Sequence, residues 1–140
     1  MALELTIVTP EGEVFRGAVN RVVFPGSEGE FGVLEGHERF LTPLKIGALE
    51  IQQGGRAHYA AISGGFADVG GSEVVALVDA CELAERIDLS RAEAARDRAR
   101  AALDRLAKLA PNEREQASFD LQERALQRAL IRIQVAGKAF

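Results

Sequence analysis

The 140-residue chain has a net charge of −4, 47% hydrophobic residues and no tryptophan, enough apolar material for one domain or a small domain with an appendage. No apolar run approaches the ~20 residues of a membrane-crossing helix, and the start, MALELTIVTPEGE, carries Glu4 and no basic cluster, which predicts no secretory leader. The single cysteine, Cys81, excludes an internal disulfide framework and reads as a small buried apolar residue.

Charge is unevenly divided. Residues 1–86 carry −7 and residues 87–140 carry +3, a pattern expected of two parts with different partners. The basic part lacks interleaved aromatics, so nucleic acid is not an expected partner.

Taken in chain order, residues 1–86 show short alternating apolar runs punctuated by glycine. Thirteen of the 14 glycines lie at or before Gly71. LELTIV ends at Pro10–Gly12, RVVF at Pro25–Gly26, GALEI at Gly54–Gly55, HYAAI at Gly64–Gly65, FADV at Gly70–Gly71, and EVVALV at Asp79. Strands of this length and spacing predict an all-β sandwich or barrel. The unbroken VVALV run predicts strands covered on both faces. No helical stretch separates the strands, which argues against βαβ units.

From residue 87 the period changes. Ala92, Ala95, Ala99, Ala102, Leu106 and Leu109 form one face of a helix, stopped by Pro111. Asn112 with Glu115 predicts a capping box for a second helix. Its face is Phe119, Gln122, Leu126, Ala129, Ile133, Ala136 and Phe140. The two predict an antiparallel helical hairpin over 87–140, following a β-sandwich over 1–86. Alanine seams bury little surface, so the hairpin needs a second surface, and an element held this weakly suits two docked states.

Several helix charges have partners three or four residues away: Glu93 with Arg96, Asp97 with Arg100, Asp104 with Lys108, Asp120 with Arg124. Arg98, Arg105 and Arg128 do not, and no acidic residue lies between Arg124 and Phe140. Arg98, Arg128 and Arg132 therefore divide between plain solvation and an anionic partner, either a phosphate-bearing small molecule or an acidic protein surface. In IDLSRA, residues 87–92, Asp88 reads as a helix N-cap. Arg91 sits where the helix dipole disfavours a cation, which a bond to Asp88 or a nearby anion would offset.

Catalytic patterns are absent. His37 and His58 have no second histidine at metal spacing, PGSEGEFG lacks the Lys-Ser/Thr of a phosphate loop, and there is no Gly-x-Ser-x-Gly elbow. A non-catalytic protein is expected. These residues alone leave open a free-standing module that binds a phosphate-bearing small molecule.

The stretch GSEGEFGVLEGHERFLTPLKIGAL, residues 26–49, with ISGGFADV and VVALVDACELAERIDLSRA in order after it, resembles the epsilon subunit of F-type ATP synthase over essentially the whole chain. That resemblance implies a rotor component of the central stalk, peripheral to the cytoplasmic face of a bacterial plasma membrane. Its sandwich would bind the gamma subunit and sit on the c-subunit ring, with Glu30 and the His37 region facing the ring. Its hairpin would lie on the sandwich or extend along gamma towards alpha and beta, blocking ATP hydrolysis. The subunit would couple proton flow to ATP synthesis with no required cofactor. Some bacterial members bind ATP as a regulatory ligand through Ile/Leu-Asp-x-x-Arg-Ala, matched here by Ile87, Asp88, Arg91 and Ala92. The accompanying family positions fall on Glu82, Arg98, Arg128 and Arg132.

Overall fold

A computed structural model describes residues 3–109 and 115–138. Eight strands come first: β1 (Leu3–Thr9), β2 (Gly12–Val19), β3 (Arg21–Gly26), β4 (Gly29–Val33), β5 (Phe40–Gln53), β6 (Arg56–Val69), β7 (Glu73–Val78) and β8 (Cys81–Leu83). One 3-10 turn, Ala84–Arg86, leads to α1 (Leu89–Ala107) and α2 (Gln116–Ala136). The fold is a β-sandwich followed by two helices.

The strands form one continuous hydrogen-bonded path, β2-β1-β7-β6-β5-β3-β4, with β8 on β6. Two layers arise because β5 and β6 are long and serve both. Their outer halves, Phe40–Leu44 with Gly65–Val69, join β7, β1 and β2; their hairpin halves, Ile46–Gln53 with Arg56–Ser63, join β3, β4 and β8. β1 and β7 pair in parallel, the other strand pairs being antiparallel. Between the layers lie Leu3, Leu5, Ile7, Val22, Phe24, Leu49, Ile51, Ala60, Val74 and Ala76, all at most 1% exposed.

Several strand boundaries differ from the sequence reading. Gly64–Gly65 is no turn; it is the bend inside a single β6. Both residues have positive φ, and a Cβ on Gly65 would stand 2.0 Å from the Leu77 carbonyl oxygen. Only glycine lets β6 cross from one layer to the other there. PGSEGEFG contains a strand, β4, and β8 follows Asp79. β7 alternates instead of being covered on both faces: Val74, Ala76 and Val78 are buried while Leu77 is 53% exposed.

Asp88 caps α1, its Oδ1 accepting from the Arg91 backbone N–H at 3.1 Å. Pro111 and Asn112 lie outside the described residues; α2 begins at Gln116 with Glu115 as its N-cap, the Ser118 hydroxyl donating to the Glu115 carboxylate at 3.1 Å. Phe140 also lies outside the described residues. α1 packs on α2, with the buried Ala99 and Ala129 brought together between them. α2 has a second apolar face. Ile131 and Val135 settle against Ala48, Tyr59, Ala61, Ala84 and Ile87, a small cluster separate from the sandwich core.

Candidate functional site

The register of the second layer sets up the site. Glu82 on β8 pairs with Ala61, and Ala61 with Ala48, so these side chains share the layer's outer face with Tyr59 and Glu50. α2 lies across this face. Beside it opens a cavity of about 350 Å3 between the two helices and the sandwich. Helical spacing brings Arg128 and Arg132 of α2 to its wall, Arg98 of α1 comes from the opposite side, and Glu82 and Ser63 form the floor.

Four of the sequence-derived positions thus converge: Glu82, Arg98, Arg128 and Arg132. Arg98 and Arg128 make no ion pair among the described residues. Arg132 is a correction. Its Nε lies 2.8 Å from Glu82 Oε1, so it is partnered across the fold although its own helix offers no acid three or four residues away. The same Nε is buried without a well-directed hydrogen bond; the contact is an ion pair whose N–H points off the oxygen, leaving Arg132 donor capacity to spare.

The remaining members of the motif are elsewhere. Ile87 packs in the cluster beneath α2, Ala92 is fully buried on α1, Asp88 is the α1 cap, and the exposed Arg91 is absent from the cavity wall. Sequence reasoning missed two neutral donors in that wall, Ser63 and Gln122. Ser63 sits beside the Gly64–Gly65 bend, a place the sequence presents as a turn.

The second predicted surface is the β3–β4 turn. Glu30 is exposed on β4 just past the turn, paired with Pro25. An aromatic ladder runs from the core to this end: Phe24 to Phe31 at 5.4 Å, Phe31 to Phe40 at 5.4 Å, and Phe40 to the His37 ring at 5.0 Å. His37 Nδ1 lies 2.9 Å from the Glu38 carbonyl. Glu30 and His37 therefore border one end of the sandwich, braced from within.

A third surface escaped the sequence reading. On the outer face of the first layer Pro43, Phe66 and Leu77 lie side by side across three strands, next to a row in which the exposed Asp68 stands between Leu41 and Val75. Leu41 is 68%, Phe66 52% and Leu77 53% exposed. Contiguous bare apolar side chains of this kind mark a docking face. Cys81 packs against the core, and burial pushes the pKa of its thiol up to about 11, which disfavours the thiolate at neutral pH.

Among the described residues no cluster of His, Cys, Asp and Glu could hold a metal ion, and no helix is long and apolar enough to cross a membrane. The family described as "ATP synthase, Delta/Epsilon chain, beta-sandwich domain" matches residues 2–84. An ATP synthase epsilon chain of Geobacter metallireducens is 44% identical over 137 residues, 98% of this chain and 95% of the relative. The epsilon chain of Nitratidesulfovibrio vulgaris is 44% identical over 138 residues, covering 99% and 98%. In the Euglena gracilis mitochondrial ATP synthase, solved with OSCP, F1 and c-ring, one chain superposes with a TM-score of 0.78 at 28% identity, covering 99% of this chain and 82% of that one. A chain of the Tetrahymena thermophila central stalk and c-ring shares the fold, with a TM-score of 0.64 at 12% identity and 97% coverage of both. A two-layer sandwich bearing two small-residue helices, matched almost end to end by these relatives, makes this chain a member of the ATP synthase epsilon-chain family.

Proposed function

We propose that this epsilon chain is a non-catalytic rotor subunit that couples proton translocation to ATP synthesis and restrains ATP hydrolysis through α1 and α2, working at the cytoplasmic face of a bacterial plasma membrane. The observation that carries the restraint is the way the helices are attached. The sandwich core closes on itself, whereas α2 is seated through a small separate cluster around Val135, one ion pair and one cation–ring contact. A hairpin held by so little apolar area can leave without unfolding the sandwich. Deletion of residues 89–140 tests this. The truncated chain is expected to remain folded and to assemble, and ATP hydrolysis by the reconstituted complex is expected to rise. A sandwich that unfolds on truncation, or unchanged hydrolysis, overturns the reading.

Partners follow from the three surfaces. The bare Leu41–Phe66–Leu77 face supports docking on gamma, the braced Glu30–His37 end supports seating on polar loops of the c-ring, and the released arginines suit acidic surface on alpha and beta. ATP as a regulatory ligand of the docked hairpin is supported by Arg98, Arg128 and Arg132 around one cavity, since charge-assisted bonds to phosphate are roughly twice as strong as neutral ones. A ligand that binds only the docked state shifts the balance by its differential affinity. Calorimetric titration of the isolated chain with ATP checks it, no heat at millimolar concentration excluding the ligand.

A further inference from the structure

The far end of α2 rests on a relay of polar side chains outside the arginine cavity. Lys138 Nζ stands 4.6 Å from the centroid of the Tyr59 ring. Tyr59 Oη donates to Glu50 Oε1 at 3.0 Å. The other carboxylate oxygen accepts from Arg21 Nη2 at 3.2 Å and from Gln52 Nε2 at 3.3 Å. One carboxylate thus gathers side chains from β3, β5 and β6 and presents, through a ring, a seat for a cation two residues past the end of α2.

Strand register dictates this grouping. Glu50 pairs with Tyr59 on one side and with Val23 on the other, so the relay lies on the outer face of the second layer, under the helix. Three effects favour a cation where Lys138 sits. The ring quadrupole attracts it. Bonds in a chain polarise one another, so donation to Glu50 leaves the phenol oxygen and ring more negative. The C-terminal end of a helix favours positive charge. The cleft at this end also carries the Glu30 carboxylate, adding a second negative group near the ammonium.

We propose that the Lys138–Tyr59–Glu50–Arg21 relay is a latch that sets how often the last turns of α2 lift from the sandwich. It works with the Arg132–Glu82 pair. One charged contact sits next to Ile131 and the other lies just past Val135, so both must open before the helix can leave. Glu50, Tyr59 and Arg21 lie outside the sandwich core, so opening the latch leaves that core intact. The regulatory consequence rests on the proposed switching of the hairpin, but the contact itself does not.

Native-state hydrogen exchange on the full-length chain tests it. Lys138→Gln is expected to raise exchange at residues 131–136 by ~2–5-fold, the factor for loss of one exposed cation–ring contact, and Tyr59→Leu by more. Raising salt from 0.05 to about 1 M should accelerate exchange there more in the parent than in Lys138→Gln, because the variant keeps only the Arg132–Glu82 pair for salt to screen. Protection of β1 and β7 should not change. Exchange at 131–136 equal in Lys138→Gln and the parent overturns the latch, as does a rise shared equally by β1 and β7. If the latch behaves as expected while hairpin deletion leaves hydrolysis unchanged, the contact stands and the proposed switching falls.

Discussion

Arg132 has no acid within reach along its own helix, and its partner Glu82 lies on β8. A search for partners three or four residues away sees only the helix surface, so Arg98 and Arg128 were legible as unpaired cations and Arg132 was not legible as paired. The same geometry makes Glu82 an internal competitor: an anion entering the cavity meets a cation already partly neutralised. Glu82→Gln is therefore expected to raise the affinity for pyrophosphate several-fold at low salt, measured by calorimetry; a loss of affinity would mean that Glu82 contacts the ligand directly. Glu50 carries an acid dependence. Burial alone would raise its pKa, but hydrogen bonds from Tyr59, Arg21 and Gln52, together with the Arg21 charge, outweigh burial and hold it below the ordinary 4.5. Lys138 and Glu30 border the same cleft. A group with a depressed folded-state pKa contributes stability above its unfolded value and loses it as pH falls through the folded one. Thermal unfolding should show the parent ahead of Glu50→Gln at neutral pH, the gap closing as pH drops below 4.5.

At the scale of elements, the sequence reading succeeded where the period was long and failed where one strand does two jobs. The helices showed themselves through alanine spacing over many residues. β5 and β6 each run 14 residues with a change of layer midway, and the glycines that permit the change look like turn residues because both uses need positive φ. IDLSRA has a similar double meaning. Its aspartate is a helix cap by geometry, and capping alone accounts for its place before α1, so nothing in the six letters separates a cap from a ligand contact. The α2 face bearing Ile131 and Val135 was hidden because the helix is apolar on two sides, one for α1 and one for the sheet. The bend gives a sharp expectation. Gly65→Ala should cost about 3 kcal/mol or more, since a Cβ would meet the Leu77 carbonyl in a backbone region that alanine avoids. Urea unfolding measures it, and a loss below ~1 kcal/mol would show that β6 bends without needing glycine there.

Over the whole molecule the two outer faces of the sandwich are treated oppositely. The second layer is covered by the molecule's own α2, over Ala48, Tyr59 and Ala61. The first layer offers Leu41, Phe66 and Leu77 to whatever lies beside it. Alternation on β7 makes this face possible, since the same strand puts Val74, Ala76 and Val78 into the core and Leu77 outside. Under the proposed function the bare face docks on gamma, which leaves the hairpin on the far side free to lift without breaking the rotor. Phe66→Glu and Leu77→Glu test the division. Both positions are about half exposed, so the isolated chain should unfold within ~1 kcal/mol of the parent. A carboxylate buried against an apolar partner without a counter-charge is costly, so affinity for gamma should fall at least about tenfold in each variant. An equivalent change on the hairpin, Ile131→Glu, should loosen α2 and leave gamma binding as it was. Co-purification of gamma with Phe66→Glu and Leu77→Glu at parental yield would mean that gamma docks elsewhere on the sandwich.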